Sequence, residues 1–431
     1  MVEKTLDRVK KKVDSAEVFF VEKNVNEISF EAGKLKTAER KNLSGIALRV
    51  IHEGRVGFSS TTDPDRIDDM IERAKESSRF GKEARFTFPC SSDIPQVNTF
   101  DPYVEAYGHD DAVREGKRAI SMLQEMCPEG VTDVILSTSF TTRRIVNTSG
   151  LDVSYRSTTF VHEVITNIIE NDSILWIYDE NFSSTLIIKT DKFVETIAGL
   201  SRKAEKKAPK VSGVMPVVFI GREMQNLLKS IELGVNGRGL VKGDSPLIGR
   251  EGEKMLGSIT LTDNPFMNNG TGSRPFDDEG VPSQCNVLFD NGVFQSFLFD
   301  NETAADAGRT TTSNADRDML TSPTIKPSNL VMSTGNSNLE EMISGIREGI
   351  IVYGVLGGGQ SNLLAGDFAV NIMLGFLIQN GEISGRLVDT MVSGNVYKAF
   401  GAISAMSQDA HQAGSIFAPD VMFSELSVSS R

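Results

Sequence analysis

Apolar residues recur at helical spacing in several stretches of this chain and alternate with polar ones in many more. Residues 5–16 place Leu6, Val9 and Val13 on one face, the pattern of a short amphipathic helix. Asp63-Pro64-Asp65 opens a second helix through Ile67, Met70, Ile71 and Ala74, with Asp as the N-cap and Pro in the first turn. The same period returns over residues 110–126 with Ala112, Ala119, Ile120 and Leu123, ending at Cys127-Pro128-Glu129-Gly130, and again over 191–207. Alternating runs predict strands over 17–21, 27–31, 44–52 and 55–60. A second set covers 133–138, 144–147, 152–159, 161–170 and 173–179, with Asn171-Asp172 as the last hairpin turn. Helix, meander and helix thus occur twice in the first 210 residues, although the two copies share little residue-level similarity.

Beyond residue 210 the pattern changes. A strand over 215–220 precedes a helix whose Met224, Leu227, Leu228 and Ile231 make one buried face. A polar loop follows up to about Lys254, then short strands from residue 258 onward, among them 289–299 around Asp290-Asn291-Gly292. A helix over 339–348 leads into a glycine-rich segment from Tyr353 to Asn395. Of the 38 glycines, 28 follow residue 210, so the two halves are built differently. The expected fold is α+β with two domains. Residues 1–210 form an N-terminal helix/meander α/β domain, and 211–431 a mostly antiparallel β, glycine-rich C-terminal domain.

Charge narrows the function classes. The net charge is −13, of which the first 210 residues carry −3 and the remainder −10. An acidic surface repels phosphate backbones, so nucleic acid is not an expected partner. No apolar run approaches the roughly 20 residues that cross a bilayer, and the charged opening MVEKTLDRVKKK is unlike a signal peptide. A cytoplasmic protein with no membrane association is the expectation. Cys90, Cys127 and Cys285 are widely spaced and odd in number, which suggests neither a disulfide framework nor a thiolate zinc site.

Candidate chemistry is sparse. His52-Glu53 and His162-Glu163 each begin an HExxH zinc motif, but positions 56 and 166 are Val and Thr. Both pairs fall in predicted strands and are expected on a sheet surface. Gly357-Gly358-Gly359 has no following lysine and reads as a structural turn. Asp277-Asp278 is expected in a solvated turn rather than around a cation. No G-x-S-x-G elbow occurs.

Four stretches give the second half a family likeness. They are 217–234; RPFDDEGVPSQ from Arg274 to Gln284 with the strand and Asn-Gly turn after it; Gly357-Gly-Gly-Gln360; and Gly366-Asp367-Phe368 through FLIQNGEI to Gly394-Asn395. Together they resemble the TldD/PmbA family, once called modulators of DNA gyrase. The resemblance implies a zinc metalloprotease lineage with two branches. TldD-like members carry an HExxxH helix and a cysteine near the tail, which supply a base and the metal ligands. In this chain the two His positions fall on Lys229 and Gly234 and the Glu position on Ser230. Glu232 stands in the wrong register, and no cysteine follows Cys285. The tail ligand is expected within 410–414, where His411 is the polar candidate and is expected to be a lone surface histidine.

The departures resemble the TldE/PmbA branch. That branch implies a subunit with no catalytic or metal residue of its own and zinc held by a TldD-like partner in a heterodimer or larger complex. A homodimer in isolation is also compatible. The substrates implied are unfolded or short peptides, with Gly357, Gly358, Gly359 and Gln360 lining a peptide cavity. Two alternatives stand beside it: an autonomous metallopeptidase with a relocated site around His411, and a stand-alone regulator of the gyrase-modulator type.

Overall fold

Long continuous strands replace the short ones expected near the N-terminus. The computed structural model describes residues 1–431 apart from Ser91, Asn171, Asp172 and residues 358–360. Helix α1 spans Val2–Val9, followed by β1 (Ser15–Glu31), β2 (Lys34–His52), β3 (Arg55–Thr61) and α2 (Ile67–Ser78). A second unit contains α3 (His109–Met126), β4 (Gly130–Asn147), β5 (Asp152–Glu170), β6 (Ser173–Ser183) and α4 (Thr190–Ala204). The six strands form one antiparallel sheet in the order β3-β2-β1-β4-β5-β6. The two helix–meander–helix units therefore lie symmetrically about the β1–β4 pair.

The first helix ends at Val9 rather than near Ala16. Lys10, Lys11 and Lys12 stay exposed, and the Asp14 N–H already donates to the Ile51 carbonyl at 3.0 Å, so the sheet captures the chain. The polar stretch between Val21 and Ile28 does not interrupt β1. Glu22 pairs with Ser44 of β2 and with Thr142 of β4. Two flanking strands satisfy its backbone, which needs no apolar side chains. The expected Asn171-Asp172 turn lies outside the described residues; the pairing of Glu170 with Ser173 flanks it.

In the second half five strands close into a barrel. They are β7 (Ser212–Phe219), β8 (Glu348–Leu356), β9 (Asp367–Gln379), β10 (Thr390–Asn395) and, after the hairpin arm β11 (Ile403–Ala413), β12 (Ile416–Ser430). β7 runs parallel to β8 and the other contacts of the ring are antiparallel, through β9, β10 and β12 back to β7. Closure removes the unpaired edges that an open sheet would expose. Helix α5 (Met224–Gly234) follows β7.

Successive barrel residues feed two different cores, as the period of two dictates. Val217 and Phe219 pack with Leu227, Leu228 and Ile231 of α5. Val218 instead joins Ile351 and Phe376 against Phe193, Ile197 and Leu200 of α4. The first sheet's helical layer thus shares its core with the barrel.

Three local expectations change. The strand over 289–299 is only Asn286–Asp290 and Val293–Phe294, because Phe297, Leu298 and Phe299 leave the hairpin to fill the core. The loop after Gly234 contains a helix, Gly237–Lys242, capped by Asn236. The helix over 339–348 stops at Ser344, and Glu348 opens β8. Among the described residues no helix is long and apolar enough to cross a membrane.

Candidate functional site

Helix α5 carries the positions where a zinc motif is expected. Its apolar face, Met224, Leu227, Leu228 and Ile231, is fully buried, which fixes its rotation. Lys229 is thereby turned to the surface, where its Nζ lies 3.2 Å from each oxygen of Glu232. Ser230 is fully buried, and its hydroxyl has no hydrogen-bond partner among the described residues. Gly234 ends the helix beneath Tyr397 of the short helix Val396–Gly401; a Cβ built on Gly234 would stand 2.3 Å from the Tyr397 hydroxyl. The three positions therefore face three different environments.

Lys229 borders a surface depression of about 330 Å³ that also includes Gln225, Asn226, Gly357 and Phe368. The fold thus brings Gly357, at φ +78°, beside Lys229. Gly358, Gly359 and Gln360 lie outside the described residues. The residues present at these three positions do not fit a zinc ion: Lys229 carries a cation, Ser230 a buried hydroxyl, and Gly234, under Tyr397, has no donor atom in a side chain. Among the described residues no three His, Cys, Asp or Glu side chains are disposed to hold a metal.

His411 is half exposed, as expected, but it is not alone. Its Nε2 lies 3.3 Å from Asp420 Oδ1, and the same oxygen accepts the Gly221 N–H at 2.7 Å. Both residues line a separate cleft of about 700 Å³ between β6, α4 and the barrel, not the depression at Lys229.

His162 departs from the expected surface pair. The face of β5 that carries it packs under α4, so the imidazole is fully buried, 4.9 Å from the Phe193 ring. Its Nδ1 accepts the Lys189 N–H at 3.5 Å, and burial lowers its pKa to about 4. His52 stays half-buried beside the β2–β3 turn, where Glu53 adopts φ +51°.

Asp277 and Asp278 are also misplaced by the sequence pattern. They do not form a solvated turn: both, with Glu279, are buried where the loop meets the first sheet. Arg49 of β2 bridges Glu17 of β1 at 3.2 Å and Glu279 at 2.7 Å. Arg317 joins Glu17 at 2.8 Å, and its own N–H donates to Asp278 Oδ2 at 2.9 Å. Asp277 accepts three backbone N–H groups, from Glu279, Val281 and Ala315. Burial and the adjacent Glu279 carboxylate nevertheless push Asp277 well above the usual carboxylate range. Arg49 lies 230 residues before Glu279 and Arg317 lies 39 residues after Asp278, separations that no local pattern encodes.

A second cluster was not legible either. Arg222, just before α5, donates to the Tyr178 and Tyr353 carbonyls at 2.8 and 3.0 Å and pairs with Asp179 at 3.2 Å. Its guanidinium lies 4.1 Å from the Tyr178 ring centre, while the Tyr178 hydroxyl donates to Glu223 at 2.8 Å. Burial raises Glu180 to about 7 despite the nearby Arg222. The group pins β6 to the barrel.

A six-stranded double meander joined to a five-stranded barrel defines a recognisable architecture. Residues 212–430 match the PmbA/TldA metallopeptidase C-terminal domain, and residues 16–78 match the PmbA/TldA metallopeptidase domain 1. The chain belongs to the PmbA/TldD metallopeptidase family. It is 26% identical to a protein of Methanothermobacter thermautotrophicus named a metalloprotease, over 93% of this chain and 89% of that one. It is also 26% identical to a zinc metalloprotease TldD homolog of Saccharolobus solfataricus, over 86% and 85% of the two chains. The crystal structure of TldE from Thermococcus kodakarensis has the same fold, with a TM-score of 0.93 at 24% identity and 99% of each chain covered.

Proposed function

We propose that this chain is the non-catalytic, TldE/PmbA-like subunit of a zinc metalloprotease complex that processes unfolded or short peptides. The observation that carries the reading is the state of α5. Lys229, Ser230 and Gly234 stand where the family's catalytic branch has two metal ligands and a base, and Tyr397 fills the space above Gly234. In this reading zinc belongs to a TldD-like partner, and this chain supplies interface and cavity wall, with Gly357 and its neighbours beside the peptide path. Cytoplasmic residence and a homodimer in the partner's absence accompany it.

The test is reconstitution. The purified chain, prepared without chelators, is expected to hold well under one zinc per chain and to leave unstructured peptides intact. Adding a TldD-like chain from the same organism should yield a complex on gel filtration and peptide cleavage that needs both proteins. Stoichiometric zinc and cleavage by the lone chain would overturn the proposal in favour of an autonomous enzyme using residues such as His411. A stable complex with gyrase and none with a TldD-like chain would favour the regulator.

A further inference from the structure

The six-stranded sheet has one face under α3 and α4 and another that is open at its β4–β6 end. Val134, Leu136, Val164, Leu175 and Ile177 point to the helices. Their sequence neighbours point the other way and form a floor in cross-strand rows. Asn167 stands opposite Trp176, Ile165 between Asp133 and Tyr178, and Glu163 opposite Glu180. Val355 and Leu356, from the end of β8, and Met373, from the middle of β9, make the facing wall of a groove of about 560 Å³. Gly354 permits this approach, since a Cβ there would stand 2.7 Å from the Met373 methyl.

Two features give the groove a chemical preference. Its apolar surface is presented to solvent: Ile174, Trp176 and Leu356 are 57%, 41% and 44% exposed. Its charge has one sign: among the described residues the charged lining groups are the carboxylates Asp133 and Glu163, with no lysine or arginine. Asp133 is engaged, accepting the Ala32 N–H and the Asn167 amide at 2.7 Å each. Glu163 has no hydrogen-bond or ion-pair partner among the described residues, and burial holds it above the usual carboxylate range with no cation to offset the cost. One face of Tyr178 is taken by Arg222, which leaves Trp176 as the open aromatic surface.

We propose that this groove binds an extended peptide segment bearing a lysine or arginine, with the cation at Glu163 and apolar side chains against Trp176 and Leu356. That the occupant is a peptide rests on the peptide-processing role proposed above; the cationic and apolar preference follows from the groove itself. A basic side chain would supply the missing partner of Glu163, and its aliphatic stem suits the floor. Trp176 and Glu163 are two same-face rows apart on the sheet. In an extended peptide that separation corresponds to residues i and i+4, roughly 13 Å.

Trp176 is the only tryptophan, so intrinsic fluorescence reports this groove directly. The probes are three capped heptapeptides of alanine with leucine at position six and lysine, norleucine or glutamate at position two. The lysine peptide is expected to shift the Trp176 emission saturably, to bind roughly tenfold more tightly than the norleucine peptide, and to exceed the glutamate peptide by more. Glu163→Gln should lower the lysine peptide to the norleucine level and leave norleucine binding unchanged. If that variant does not fold, the wild-type chain still decides: high salt should erode the lysine preference and spare the norleucine affinity. Equal affinities for all three peptides, no binding at millimolar concentration, or binding seen by calorimetry without a Trp176 response would each overturn the assignment. These measurements use the lone chain and neither zinc nor cleavage, so failure of the subunit reading and failure of this one are separately visible.

Discussion

Gly234 packs against Tyr397 so closely that a Cβ on the glycine would lie 2.3 Å from the tyrosine hydroxyl. The contact fills the space over the last residue of α5 and leaves no room there for a larger side chain. Gly234→Ala is expected to cost about 1–3 kcal/mol, the usual range for overpacking a buried site. Tyr397→Phe removes the hydroxyl, which has no hydrogen-bond partner among the described residues. The double variant should therefore recover part of the loss, a coupling that chemical denaturation of all four proteins would measure. Strict additivity would show that the contact is not the cause.

The Glu17–Arg317 ion pair spans 300 residues and is fully buried at both ends. Arg317 also lies 4.1 Å above the Phe19 ring. Arg317→Met leaves Glu17 with Arg49 alone in a dry site, and breaking such a pair costs about 3–5 kcal/mol. Urea unfolding should report that loss. Hydrogen exchange should quicken in β1 and around Asp278 before the rest of the chain, because this network joins the two halves.

His162 links stability to acid. Burial lowers its pKa from 6.5 to about 4, so the fold favours the neutral imidazole. The corresponding stabilisation is complete above pH 6.5 and disappears as pH falls toward 4, a change of about 3 kcal/mol at most. His162→Phe should flatten the unfolding free energy between pH 7 and pH 4. An unchanged slope would place the acid sensitivity elsewhere.

Glu180 acts in the opposite sense. Its pKa rises from 4.5 to about 7, so the folded state prefers the protonated carboxyl. That preference stabilises the protein below pH 4.5 and is lost as pH rises through 7. Because the side chain keeps some solvent contact, Glu180→Gln should stabilise the protein by only about 1–2 kcal/mol at pH 8. The gain should vanish near pH 4, and thermal melts at the two pH values would show it.

Local patterns located most of the helices. The 3.6-residue period at Met224, Leu227, Leu228 and Ile231 placed α5 within a residue or two, and Asp63 before Pro64 marked the turn that opens α2. They failed where neighbours distant in the chain supply the hydrogen bonds. β1 runs through a polar segment that alone resembles a break, and the first helix yields early to Ile51.

By itself the sequence determined the family-specific motifs, the order of elements and the absence of histidine or carboxylate from positions 229, 230 and 234. Each depends on residue identity and short-range spacing, which the chain carries openly. Only the tertiary structure decided the burial of Asp277, Asp278 and His162, the pairing of His411 with Asp420, and the filling of the space above Gly234 by Tyr397. Whether a polar residue meets water, an arginine or a ring depends on which distant element closes over it: here α4 covers His162, and the first sheet meets the loop of Asp277 and Asp278.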